Sequence, residues 1–75
     1  MPYSSHLLRH LRFTIGQNIH AARLKQKMTL KKLSHLSGVP EDKLDQYELG
    51  KNEIRLDQLL KIACSLEVRV RELMA

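Results

Sequence analysis

Two histidines, His6 and His10, stand four residues apart. In a helix that spacing sets both imidazoles on one face, where a metal ion could be held. A stable site needs further ligands, and His20 and His35 fall on other elements. The face reads as solvated, and neither a metal nor any other cofactor is expected. Cys64 is the single cysteine, so no internal disulfide can form. No His or acid is placed to activate it, and it reads as a small core or boundary residue of a helix. No glycine-rich phosphate loop and no pair of catalytic acids stands out. Enzymatic activity and a small-molecule substrate are therefore not expected.

Charge offers a stronger signal. The chain carries a net +5, unevenly spread. Residues 1–35 hold seven Lys or Arg and no acid, whereas residues 36–75 hold six basic and eight acidic residues. Asymmetry of this kind suggests a face built for an anionic partner. Lys25, Lys27, Lys31 and Lys32 fit such a face and fit plain solubilising charge equally well. The aromatics are few, Tyr3, Phe13 and Tyr47, which argues against a stacking platform for single strands.

With 75 residues there is room for one domain and a small core. No apolar run approaches the ~18 residues of a membrane span, and 1–10 shows no signal-peptide pattern. A cytoplasmic protein is expected, with no membrane partner.

The elements that must position these side chains read as helices throughout. Thr14 with Gln17 makes a capping-box pattern, and Ile15, Ile19 and Ala22 follow at helical spacing, so a first helix is expected over 15–27. Gly16 costs helix propensity there, unless a tertiary contact overrides it. Thr29 caps a second helix over 30–37, with Leu30, Leu33 and Leu36 as its apolar positions and Gly38 as its left-handed stop. Pro40, then Glu41 and Asp42, suit the start of a third helix that ends at Gly50. A fourth is expected over 56–65, with Leu56, Leu59, Leu60, Ile62, Ala63 and Leu66 apolar, and a short fifth over 70–74 with Val70, Leu73 and Met74. Residues 1–13 stand apart as an N-terminal extension, helical or an arm: Ser4 or Ser5 could cap a further turn or two through Leu7, Leu8 and Leu11, and the segment extends the first helix backward, forms a separate helix or remains a mobile arm. Residues 14–75 form the domain proper.

Two short helices around a tight glycine turn, over 30–49, make a helix-turn-helix unit. Leu33 and Leu44 face each other, Ser34 allows a close crossing, Gly38 turns the chain, Val39 plugs beneath it and Tyr47 closes the core. The run Ile15-Gly-Gln-Asn-Ile19, Arg23, Met28-Thr-Leu-Lys-Lys-Leu33, Gly38-Val-Pro40, Tyr47-Glu-Leu-Gly50 and Leu59-Leu-Lys-Ile-Ala63 resembles the Cro and phage-repressor (Xre-type) helix-turn-helix family. The resemblance covers about 14–74. It implies an all-α, compact five-helix domain, here with a short N-terminal extension, whose third helix enters the DNA major groove.

The same resemblance implies roles for particular residues. Arg23 and Glu48 would form a structural ion pair beneath the DNA-binding surface, where a partly buried carboxylate needs a bidentate partner. Glu41, Asp42, Lys43 and Gln46 would face base edges, Gln46 suiting adenine and Glu41 or Asp42 suiting cytosine N4. Phosphates would be held by the backbone N–H groups near Thr29 and Leu30, with Lys31, Lys43, Lys51 and Asn52 adding side-chain contacts. Two departures stand out. Leu30 replaces a polar residue common in the family, and the third helix is acidic through Glu41, Asp42 and Asp45. The partners implied are double-stranded DNA and a second copy of the chain, because one such domain contacts too few bases for specificity and a homodimer sets two recognition helices about 34 Å apart. The competing reading is a protein-interaction module that uses the acidic helix against a partner in a regulatory complex.

Overall fold

In the computed structural model, which describes residues 5–75, helix α1 runs from Ser5 to Lys25 without a break. Tyr3 and Ser4 lie outside the described residues. The expected start at residue 15 is corrected in favour of the backward extension: nothing between Ser5 and Thr14 breaks a helix, and Leu11 and Ile15 pack inward one turn apart. The capping-box pair therefore sits mid-helix, and residues 5–13 form the first turns of α1. The helix stops because Lys27 takes a left-handed conformation (φ 55°), with Met28 N–H returning to the Arg23 carbonyl at 3.0 Å.

Helix α2 (Leu30–Ser37) opens with Thr29 Oγ1 accepting the Lys32 N–H at 3.0 Å and closes at Gly38, φ 76°. Helix α3 (Glu41–Glu48) follows Pro40 directly. The turn between them is clamped by two serines. Ser34 Oγ donates to the Val39 carbonyl at 2.7 Å, and Ser37 Oγ accepts the Val39 N–H at 3.2 Å. Ser34 thus bonds the turn as well as being small. Helices α4 (Leu56–Leu66) and α5 (Val70–Met74) complete the fold.

The core is one cluster drawn from all five helices, with Ile19, Leu33, Leu44, Ile62, Leu66 and Leu73 fully buried. Val39 plugs the α2–α3 turn from beneath. Polar side chains of α1 tie the C-terminal helices down: Asn18 Nδ2 donates to the Leu73 carbonyl at 2.8 Å, and Gln26 Nε2 to the Leu66 carbonyl at 2.6 Å. Each satisfies a carbonyl that a helix end leaves open.

Several expected apolar positions point outward. Leu36, Leu56, Leu60 and Met74 are exposed, Leu56 to 67%, and Cys64, expected at the core or its boundary, is exposed as well. An apolar stripe on a short helix is wider than the face a small core can cover, so the residues at its edge reach solvent. Among the described residues, no helix is long and apolar enough to cross a membrane.

Tyr47 is buried, and its hydroxyl donates to Gln58 Oε1 on α4. Burial holds its phenol pKa above the ordinary value; Arg55 opposes the shift and Asp57 adds to it. The fold therefore favours the neutral phenol. That stability is complete below about pH 10, the ordinary phenol value, and is lost as pH rises through the raised folded value. The thermal midpoint of the native chain should then fall more steeply above about pH 10 than that of Tyr47→Phe. Parallel declines in the two proteins would remove Tyr47 from the account.

Candidate nucleic-acid interface

Helix α3 has two faces of opposite character. Leu44, Tyr47 and Glu48 are buried, which locks the helix in rotation. Glu41, Asp42, Lys43 and Asp45 are exposed on the other side, with Gln46 half-buried beside them. The four residues expected to face bases are thus brought together on one outward surface. Glu41, Asp42 and Asp45 share an open cleft with Leu30 of α2, so the acidic half of α3 borders the start of α2.

The residues expected at phosphates fall into two groups flanking α3. Thr29, Leu30 and Lys31 stand at the start of α2 and Lys51 and Asn52 in the turn after α3, with Thr29, Lys31 and Lys51 exposed. Thr29 Oγ1 takes the Lys32 N–H, so the N–H groups of Leu30 and Lys31 remain the open donors that begin any helix. Asn52 does more than stand near a backbone. Its Nδ2 donates to Gln46 Oε1, which orients the Gln46 amide from the following loop. No spacing rule in the sequence signals that contact.

Beneath this surface lies a charged knot. Arg23 Nε donates to Glu48 Oε2 at 2.7 Å and Arg23 Nη2 to Glu48 Oε1 at 3.0 Å, a bidentate pair. Arg23 Nη1 donates to the Met28 carbonyl at 2.7 Å. One guanidinium so joins α1, α3 and the loop that leads into α2. The two residues retain only 8% and 7% of their exposure. The hydrogen bond to Glu48 holds the Arg23 pKa above its ordinary value against the opposing effect of burial, with the Glu48 and Asp45 charges adding to it. His20 joins the knot: its Nδ1 lies 2.7 Å from Glu48 Oε1 and 3.3 Å from Arg23 Nη2. The expectation that His20 lies on a different element from His6 and His10 is corrected: all three stand on α1. The available signal for His20 was its place three residues before Arg23, on the same side of α1.

His6 and His10 share a face of α1 as expected from their spacing, and among the described residues no group of three or more His, Cys, Asp or Glu is arranged to hold a metal.

The family model described as Helix-turn-helix matches residues 19–73, a span that holds the α2–turn–α3 unit, Arg23 and Glu48. The chain belongs to the Xre/Cro-type helix-turn-helix family. This helix-turn-helix chain is accordingly a DNA-binding transcription regulator. Its fold is similar to that of the restriction-modification controller protein C.AhdI from Aeromonas hydrophila, with a TM-score of 0.80 and 27% sequence identity over 83% of this chain and 94% of that chain. No curated protein sequence matches it significantly.

Proposed function

We propose that the helix-turn-helix chain is a sequence-specific regulator that binds a near-palindromic duplex as a symmetric pair, with α3 in the major groove. The observation that carries this reading is the outward set Glu41, Asp42, Lys43 and Gln46 on a helix whose other face is locked by Leu44, Tyr47 and Glu48. A rotationally fixed helix presents the same donors and acceptors to every duplex it meets, which base discrimination requires. Gln46 suits adenine, and Glu41 or Asp42 suits cytosine N4. Thr29, Leu30, Lys31 and Lys51 set the register through phosphates. The role is binding and not catalysis. Pairing through the C-terminal end is supported by Met74, which is exposed, and by Val70, which is half-buried on the short α5. The likeness to C.AhdI, a restriction-modification controller protein, supports control of gene expression as the setting.

The acidic residues separate base reading from general affinity. A carboxylate near the phosphate array is repelled unless it meets a specific donor. Replacing Glu41 and Asp42 together by Gln should tighten binding to mixed-sequence duplex and blur preference among selected sites. Lys51→Ala should weaken all sequences alike and lower the slope of log affinity against log salt by about 1. Fluorescence anisotropy across a salt series measures both. A double Gln variant that binds mixed duplex no better than the native chain would exclude phosphate repulsion as the reason for an acidic α3. A second reading rests on the cleft that Glu41, Asp42 and Asp45 share with Leu30, which suits a basic protein segment. Absence of duplex binding even at low salt would favour it.

A further inference from the structure

The first turns of α1 carry a cationic face that the surface above leaves unused. His6, Arg9, His10 and Phe13 recur at the spacing that shares one side of a helix, and all four are exposed. Together with Gly50 they line an open cleft of about 300 Å³. No acid lines it. Arg12, on another side of the helix, is matched by Glu53 at 3.8 Å, whereas no described carboxylate pairs with Arg9. Gly50 fixes where this face sits. It holds a left-handed conformation, φ 72°, and a Cβ built on it would meet Phe13 Cα at 3.1 Å. The backbone of α1 therefore lies against the turn that leaves α3, and Lys51 and Asn52 follow directly. The family match begins at residue 19, so this face lies outside it.

We propose that the His6–Arg9–His10 face is a second phosphate-binding surface, which takes the sugar-phosphate backbone of duplex DNA beyond the segment spanned by α2 and α3. The proposal rests on the DNA-binding reading above. Arg9 offers a planar fork of donors suited to a phosphate. Each imidazole offers at least one N–H in either protonation state. The cations run from Arg9, past the Phe13–Gly50 contact, to Lys51, so the charge continues a surface already assigned to phosphates. The extension adds affinity without base reading, because nothing on it is held in rotation toward a base edge.

The test is a salt series on the full chain with a mixed-sequence duplex of about 30 base pairs, long enough to pass both surfaces. Arg9→Ala should lower the salt slope by about 1 and weaken binding roughly fivefold at low salt. Lys61→Ala removes the same charge from the exposed side of α4 and should leave the slope unchanged. If Arg9→Ala matches Lys61→Ala while Lys51→Ala still costs a slope of about 1, the second surface is rejected and the DNA reading stands. A native chain with no salt-dependent binding overturns both. Sedimentation of the same variants covers the remaining occupant: if Arg9→Ala changes self-association and not the slope, the face belongs to a second copy and the proposal fails.

Discussion

Replacing Glu48 by Ala should lower the free energy of unfolding by about 3 kcal/mol, because it leaves Arg23 buried without its counter-charge. Arg23 keeps the Met28 carbonyl and the 3.3 Å contact to His20 Nδ1, two neutral partners that do not replace the carboxylate it loses. Arg23 and Glu48 are both more than nine-tenths buried, so the low value typical of exposed ion pairs does not apply. For a domain of this size each kcal/mol moves the thermal midpoint by roughly 4–8 °C, giving an expected drop of about 12–24 °C by circular dichroism. Removing both charges should hurt less than removing one. Arg23→Met with Glu48→Leu leaves no unpaired ion, and apolar replacements of buried pairs are often neutral or stabilising. The double variant should therefore melt above Glu48→Ala. A Glu48→Ala midpoint within about 3 °C of the native chain would show that Arg23 reaches water easily and that the pair does not hold α1 to α3.

The second large effect comes from the smallest residue. Gly16→Ala should destabilise by about 3 kcal/mol, although intrinsic helix propensity alone would favour Ala by about 1 kcal/mol. A Cβ at position 16 would stand 2.2 Å from the Tyr47 carbonyl oxygen, 2.9 Å from that of Glu48 and 3.1 Å from the Glu48 carbonyl carbon. These are backbone atoms of α3 and cannot rotate away. To admit one methyl group, α1 must separate from α3, and that movement also draws Arg23 off Glu48. The clash therefore outweighs the propensity gain. Gly16→Ala and Glu48→Ala should be strongly non-additive, since each disrupts the same helix pair. Urea unfolding of the two single variants and the double variant reads this directly. A Gly16→Ala chain as stable as the native one would mean that the α1–α3 spacing adjusts freely.

Signals that act within a few residues are legible in the amino-acid order, and they determined most of this fold. Thr29 as cap, Gly38 as left-handed stop and Pro40 at the entry of α3 bound α2 and α3 where expected. The leucine spacing placed α4 and α5 to within a residue. Each is a backbone or capping preference that neighbouring residues satisfy or refuse on their own. The same spacings carried the family resemblance, and with it the surface on which Glu41, Lys43 and Gln46 gather.

Contacts between elements distant in the chain were decided only by the tertiary structure. Thr14 and Gln17 have the form of a helix start, yet α1 already runs from Ser5, because burial of Leu11 and Ile15 rewards continuing the helix through them. Leu36, Leu56 and Leu60 keep the helical period but lie beyond the edge of a core too small to cover them. Gly16 is a propensity defect until α3 crosses it, and then it is the one residue type that fits. His20 is a surface base until Glu48, 28 positions later, arrives at 2.7 Å. Asn52 becomes a partner of Gln46 only when the loop folds back over α3. In each case the deciding term is a close approach between segments joined by many residues, and periodicity along one segment carries no information about that distance.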